Sequence, residues 1–264
     1  MARKIGSLTP IWNQEMWIVP HFDMLEPLDK KVVLLQKQPL PNYHKEHGYS
    51  LKKDLSEHLL KVHFPDVEIY PSRFPEGLEF QADLYNDGLE YVEDMDIVFR
   101  LDPDMFFTDE VWKTLLEYIK TSNHDCYHML FDRDSINYYM TGDFEHGLKD
   151  ARELDVLAWN PQRALTKREW QDANNPGVTL HSDLTCPWDT HHFIQFPGFL
   201  CHHFRGWNKP RSTPNPGWAL RPETFELLEK YGNGGQFYKT PLEIKNKVSD
   251  SLKLVKEIKE LGIT

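Results

Sequence analysis

The amino-acid sequence predicts an α/β fold, a mostly parallel sheet flanked by helices and followed by a C-terminal helical extension. Short β-branched and leucine-rich runs alternate with helix-spaced segments through the first half. One such run, Ile97-Val-Phe-Arg-Leu101, leads directly into Asp102-Pro103-Asp104. Residues 240–262 carry one long amphipathic pattern. With 264 residues, 40% of them hydrophobic and 27% charged, the chain can bury a full core. The simplest organisation is one domain over residues 1–219 with residues 220–264 packed on it as the extension.

The elements follow in order. Lys4–Ile11 reads as a first strand, and Met16–Leu25 as a short helix. Lys31–Gln36 is a compact run of Val and Leu, hence a second buried strand, ended by the Pro39, Pro41 and Asn42 cluster. Leu51, Leu55, Leu59 and Val62 share a helical face, with Ser50 placed as N-cap. Val67–Tyr70 is a third strand. Phe80, Leu84, Gly88 and Tyr91 fall in helical register over Glu79–Val92. Ile97–Leu101 is the next strand, its proline-spaced acids held extended past its end. Thr108 is placed to cap a helix carrying Val111, Leu115, Leu116 and Ile119. Residues 126–213 are rich in Trp, His, Pro, Asn and Asp, with short strands at Cys126–Phe131 and Phe193–Phe196; such regions shape sites more often than layers. Thr240-Pro-Leu-Glu243 reads as a capping box. Ile244, Val248, Leu252, Val255 and Ile258 form the stripe of the last helix, and Gly262 closes it.

The formal net charge of −11 argues against a broad electrostatic nucleic-acid binder. Aromatic residues make up 13%, most of them expected in the core. The three cysteines, Cys126, Cys186 and Cys201, are odd in number in a long chain and imply no disulfide framework, so a reducing compartment is expected. No stretch approaches the ~18 apolar residues of a spanning helix, and a cytoplasmic protein is expected.

Two segments carry chemistry. Carboxylates at 102 and 104, just past a strand end, can converge on one hard divalent cation while leaving coordination positions for phosphate oxygens. The string His203-Phe-Arg-Gly206-Trp-Asn-Lys209-Pro210 offers an imidazole, a glycine open to close phosphate approach, and a lysine point charge. Either segment alone could be an ordinary solvated loop; together they suit one metal-bound diphosphate. Adjacent strand residues alternate faces, so only one of His202 and His203 can address the site.

These motifs resemble the GT-A fold of nucleotide-sugar glycosyltransferases, a Rossmann-like mixed sheet. Leu101-Asp-Pro-Asp104 is similar to its Asp-x-Asp motif. His203-Phe-x-Gly206-x-x-Lys209-Pro210 is similar to the His-Phe-x-Gly-x-x-Lys-Pro-Trp string of the glycogenin-like family, although Arg211 replaces the tryptophan. Pro10–Glu15 and Gln81–Gly88 look more like family-two transferases. The resemblance implies Asp102, Asp104 and His203 as ligands of Mn2+ or Mg2+. It implies Gly206, Lys209 and Asp102 as contacts of a nucleoside-diphosphate sugar, a UDP-sugar being favoured. Thr9, Trp12 and Asn13, at the end of the first strand, would meet the nucleoside, and Asn86 would face the donor from the preceding helix.

The implied activity is a metal-dependent transfer of a sugar, possible with retention, to a hydroxyl acceptor, with a glycan ranked ahead of nucleic acid. An inverting reaction would need a carboxylate base; Asp189, Asp132 and Asp134 are the candidates. Trp188, Trp207, Trp218, Tyr138 and Tyr139 are candidate stacking walls. Rival readings are a virus-type transferase acting on hydroxylated DNA bases, a non-catalytic sugar-nucleotide or glycan-binding protein, and a zinc-stabilised interaction protein drawing on the histidines and cysteines between His181 and His203.

Overall fold

A computed structural model describes residues 3–11, 14–36, 54–73, 81–130, 135–137, 146–148, 154–171, 179–185, 201–203, 237–239 and 241–262. Strand β1 (Ile5–Ile11) lies between β2 (Lys30–Leu35) and β4 (Ile97–Arg100), parallel to both, and β2 is parallel to β3 (Glu68–Pro71). Strand β9 (Leu154–Trp159) pairs antiparallel with β4 and with β6 (Cys126–Leu130). The resulting six-stranded order is β3-β2-β1-β4-β9-β6. This is a mixed, mostly parallel, Rossmann-like α/β arrangement.

The strands read as continuous apolar runs because both faces of the sheet are covered. Ile5, Ile11, Ile97 and Phe99 belong to one core, packed under α1 (Glu15–Met24), α2 (Ser56–His63), α4 (Asp109–Thr121) and α5 (Leu242–Glu260). Leu8, Leu34 and Val98 belong to the other, with Ala82, Leu84 and Tyr85 of α3 (Gln81–Asp87) and Leu165.

Where expectation and structure part, the reasons are local. The single helix expected over Glu79–Val92 is α3 followed by a 3-10 turn, Leu89–Tyr91. Gly88 separates them at a point of close approach, where a Cβ would stand 2.7–2.9 Å from the side chains of Leu8 and Leu34. In α2, Leu59 and Leu60 are buried, but Val62 is 57% exposed; the helix starts at Ser56 with Leu55 at its N-cap and no side-chain bond, so Ser50, the expected cap, is not its cap. Thr108 does cap α4, accepting from the Val111 amide at 3.4 Å. Thr240, the other half of the capping box expected with Glu243, lies outside the described residues. Pro241 occupies the N-cap position without a side-chain bond. Glu243 accepts from the Asp109 amide at 2.8 Å, so its carboxylate caps α4. In the stripe of α5 the buried positions are Ile244, Val248, Ser251, Val255 and Ile258, and the Ser251 hydroxyl donates to the Met16 carbonyl at 2.8 Å. Gly262 ends the helix at φ 66°.

Two further sheets use the later chain. β10 (Thr166–Gln171) and β11 (Thr179–Thr185) form an antiparallel ribbon. Short strands β5 (Met105–Phe106), β7 (Ser135–Asn137), β8 (His146–Leu148), β12 (Cys201–His203) and β13 (Phe237–Lys239) form a five-stranded sheet in the order β13-β8-β7-β12-β5. The expected strand at Phe193–Phe196 and the 219/220 boundary lie outside the described residues. No described helix is long and apolar enough to cross a membrane. The expectation of reduced cysteines is corrected at one position: Cys126 is disulfide-bonded, which an odd cysteine count could not indicate, while Cys201 is free and buried.

Candidate functional site

The chain passes from the six-stranded sheet to the five-stranded one through a single turn, Asp102-Pro103-Asp104, between β4 and β5. The stretch expected to be extended is closed by a hydrogen bond from the Met105 amide to the Asp102 carbonyl, 3.0 Å. Asp at the first position and Pro at the second are what a tight turn of this kind favours. The turn holds the two carboxylates at the end of β4, in different surroundings.

The Asp102 side chain is 28% exposed and held on both oxygens. The Tyr85 hydroxyl donates to Oδ1 at 3.0 Å, and Arg100 Nη2 donates to Oδ2 at 3.1 Å. Arg100 is itself 4% exposed, its guanidinium carbon 5.7 Å from the centre of the Tyr85 ring. Asp104 is buried at 7% exposure. Its carboxylate acts on His21 of α1 and Cys201 of β12. His21 is fully buried, neither ring nitrogen making a hydrogen bond of normal geometry. Burial holds its pKa down to about 4, against the opposing pull of the Asp104 and Asp102 carboxylates. Burial pushes the Cys201 thiol well up, and the Asp104 charge adds to that.

The second sequence segment arrives on β12. It pairs antiparallel with β5, His203 opposite Met105 and His202 opposite Phe106, so the His203 main chain lies beside the residue that follows Asp104. His202 is 3% exposed, and burial lowers its pKa to about 4.

Asp102 and Asp104 are therefore brought together, and the main chain of His203 is brought to them. Thr9 is fully buried within β1, its hydroxyl without a partner, rather than at an open strand end; β2 and β4 flank it and both faces of the sheet are covered. Asn86 is engaged at both ends of its amide, donating to the Leu165 carbonyl and accepting from the Leu165 amide, each at 2.8 Å. It fixes the segment leading into β10. Trp12, Asn13, Asp132, Asp134, Asp189, Gly206 and Lys209 lie outside the described residues, as do the candidate stacking aromatics. Among the described residues, no group of three His, Cys, Asp or Glu side chains is placed to hold a metal.

Sequence reasoning missed Arg100, Tyr85 and His21. A signal existed for the first. A lone arginine in an apolar strand needs a partner, and in extended chain the acid two residues on shares its face. Nothing in the sequence marks Tyr85 as the second donor.

No protein-family model matches the chain, and no curated protein matches it. Solved structures with a similar fold include a 4-diphosphocytidyl-2C-methyl-D-erythritol synthase, 12% identical over 61% of this chain and 76% of that one, with a TM-score of 0.35. Another is a mannosyltransferase from Pyrobaculum calidifontis in complex with GDP-Man and Mn2+, 14% identical over 61% of this chain and 45% of that one, with a TM-score of 0.38. At these values the likeness adds nothing to what the strand order already gives.

Proposed function

We propose that the chain is a metal-dependent glycosyltransferase that moves a sugar from a nucleoside-diphosphate sugar to a hydroxyl acceptor. The observation that carries this reading is the pairing of β5 with β12. It brings the start of the His203–Pro210 string to the Asp102–Asp104 turn from across the sequence. The donor set suits the group: two carboxylates and an imidazole match Mn2+ or Mg2+, hard cations that keep positions for phosphate oxygens. Asp102, Asp104 and His203 would hold the metal, and Gly206 and Lys209 the diphosphate. The metal would offset charge growing on the leaving phosphate. Lys209 would add a fixed positive charge there, and Gly206 would let the backbone approach the diphosphate oxygens. Asp189, Asp132 and Asp134 remain the proposed bases for an inverting reaction, and a glycan is the acceptor class favoured by the acidic net charge.

The test is a melting screen with UDP, GDP, TDP, CMP and ADP, each with and without Mn2+. A ligand that binds only the folded chain raises its melting temperature. One nucleotide is expected to stabilise the protein only with metal. Asp104→Ala should weaken that binding by on the order of 100-fold, the loss of one charged ligand group, and keep a cooperative melt. Stabilisation by none of the nucleotides, or an unaltered response in the variant, would overturn the reading.

A further inference from the structure

Arg100 and Tyr85 are built into the turn in a way that bears on how the proposed metal would load. Both are almost completely buried, at 4% and 1% exposure. They come from separate elements, β4 and α3, and each takes a different oxygen of the same carboxylate. An arginine buried beside a carboxylate is costly to desolvate, and such a pair adds little net stability compared with an apolar replacement. Its position two residues before the acid gives it a fixed place next to the proposed metal site.

We infer that the Arg100–Tyr85 clamp is a charge-balancing positioning device: it holds Asp102 partly neutralised, so that a divalent cation binds weakly alone and well only together with a diphosphate. The physical basis is direct. Arg100 brings one positive charge close to the carboxylates. A bare divalent cation meets repulsion from it, whereas a diphosphate anion is attracted by it. The Tyr85 hydroxyl acts in the same direction by occupying Oδ1. The site would therefore accept its two charged components as a complex and not fill with metal alone. This inference rests on the proposed metal-binding role of Asp102 and Asp104.

The experiment measures two dissociation constants on the full chain: Mn2+ alone, by electron paramagnetic resonance, and inorganic pyrophosphate at saturating Mn2+, by calorimetry. Arg100→Gln is expected to tighten Mn2+ about tenfold and weaken pyrophosphate by a similar factor, the size of effect a unit charge at this range has near a protein surface. Arg100→Lys should restore both constants to within about twofold, because it keeps the charge. Tyr85→Phe should tighten Mn2+ about threefold, the weight of one hydrogen bond to the competing oxygen, and it decides the matter if Arg100→Gln does not fold. A purely structural role predicts the opposite sign, with weaker Mn2+ binding as the turn loosens, and that result would overturn the inference. So would unchanged constants. If Mn2+ binds the wild type and Asp104→Ala equally, the metal reading itself fails and takes this one with it. Asp104-dependent Mn2+ binding that ignores Arg100 and Tyr85 sinks the clamp alone.

Discussion

The six-stranded sheet takes four adjacent strands from residues 5–100, while the five-stranded sheet collects pieces of two or three residues from between positions 105 and 239. The first is built from strands of four to seven residues and is buried on both faces, and its central pair, β1 with β4, joins Ile5 to Ile97. The second depends on bringing β12 to β5 across about a hundred intervening residues, and closing a loop of that length costs entropy before any contact repays it. The proposed ligands fall where the two systems join. Asp102 follows a strand of the first sheet, and His203 lies on a strand of the second. The site needs both, and one core spans them, Met105 and Cys201 packing in the same cluster as Ile5 and Ile97.

The largest expected effect that separates the two regions is acid loosening of their junction. His21 packs beneath the turn and His202 lies in the five-stranded sheet, and burial holds both near pKa 4 in the folded chain, against 6.5 in the unfolded one. The unfolded chain therefore binds more protons below pH 6.5. The contribution is complete above pH 6.5 and is lost as pH falls toward 4, by about 3 kcal/mol per histidine. Urea midpoints at pH 7 and pH 4.5 should differ accordingly, and protection of β5 and β12 amides should fall before that of β1 and β2. Equal midpoints would remove this account of the junction.

Next in size is Gly88→Ala. The added methyl group meets Leu8 and Leu34 inside the six-stranded sheet's second core, at a cost of about 1–3 kcal/mol. If that sheet is the autonomous framework, thermal unfolding should shift as one transition, with the five-stranded sheet lost along with it. Unfolding of the six-stranded sheet before the five-stranded one would reverse that dependence.

The smallest is Glu243→Gln. It keeps an acceptor for the Asp109 amide but removes the negative charge at the start of α4, an effect of about 0.3–1 kcal/mol at low salt. A difference that vanishes in high salt would fit; one that persists would assign the contact to packing.

The same contrast governs what could be read from sequence. Runs such as Lys30–Leu35 and Ile97–Arg100 announce buried parallel strands by composition alone, and Thr108 announces its helix. The Asp-Pro-Asp segment and the His203 string were both picked out from the sequence, and β12 brings the start of the second beside the end of the first. Strands of two or three residues carry no periodicity, so β5, β7, β8, β12 and β13 could not be read. The bond from the Asp109 amide to Glu243 was not legible, because a capping pattern shows which residue is available to cap, not every helix it will serve. Asn86 looked like a donor contact for the same reason: an amide near a site shows its chemistry in sequence but not its partner. Tyr85 reaches Asp102 only through the packing of α3, which no local pattern encodes.

The contact between α5 and α1 has a consequence for synthesis. Ser251 bonds the Met16 carbonyl, and Lys259 pairs with Glu15, so a helix near the start of the chain receives its cover from one made more than two hundred residues later. A nascent chain emerging amino end first must carry that apolar face of α1 uncovered until α5 has been made. During that interval it would be open to chaperones or to a second nascent copy, and pausing the ribosome before residue 242 should lengthen it.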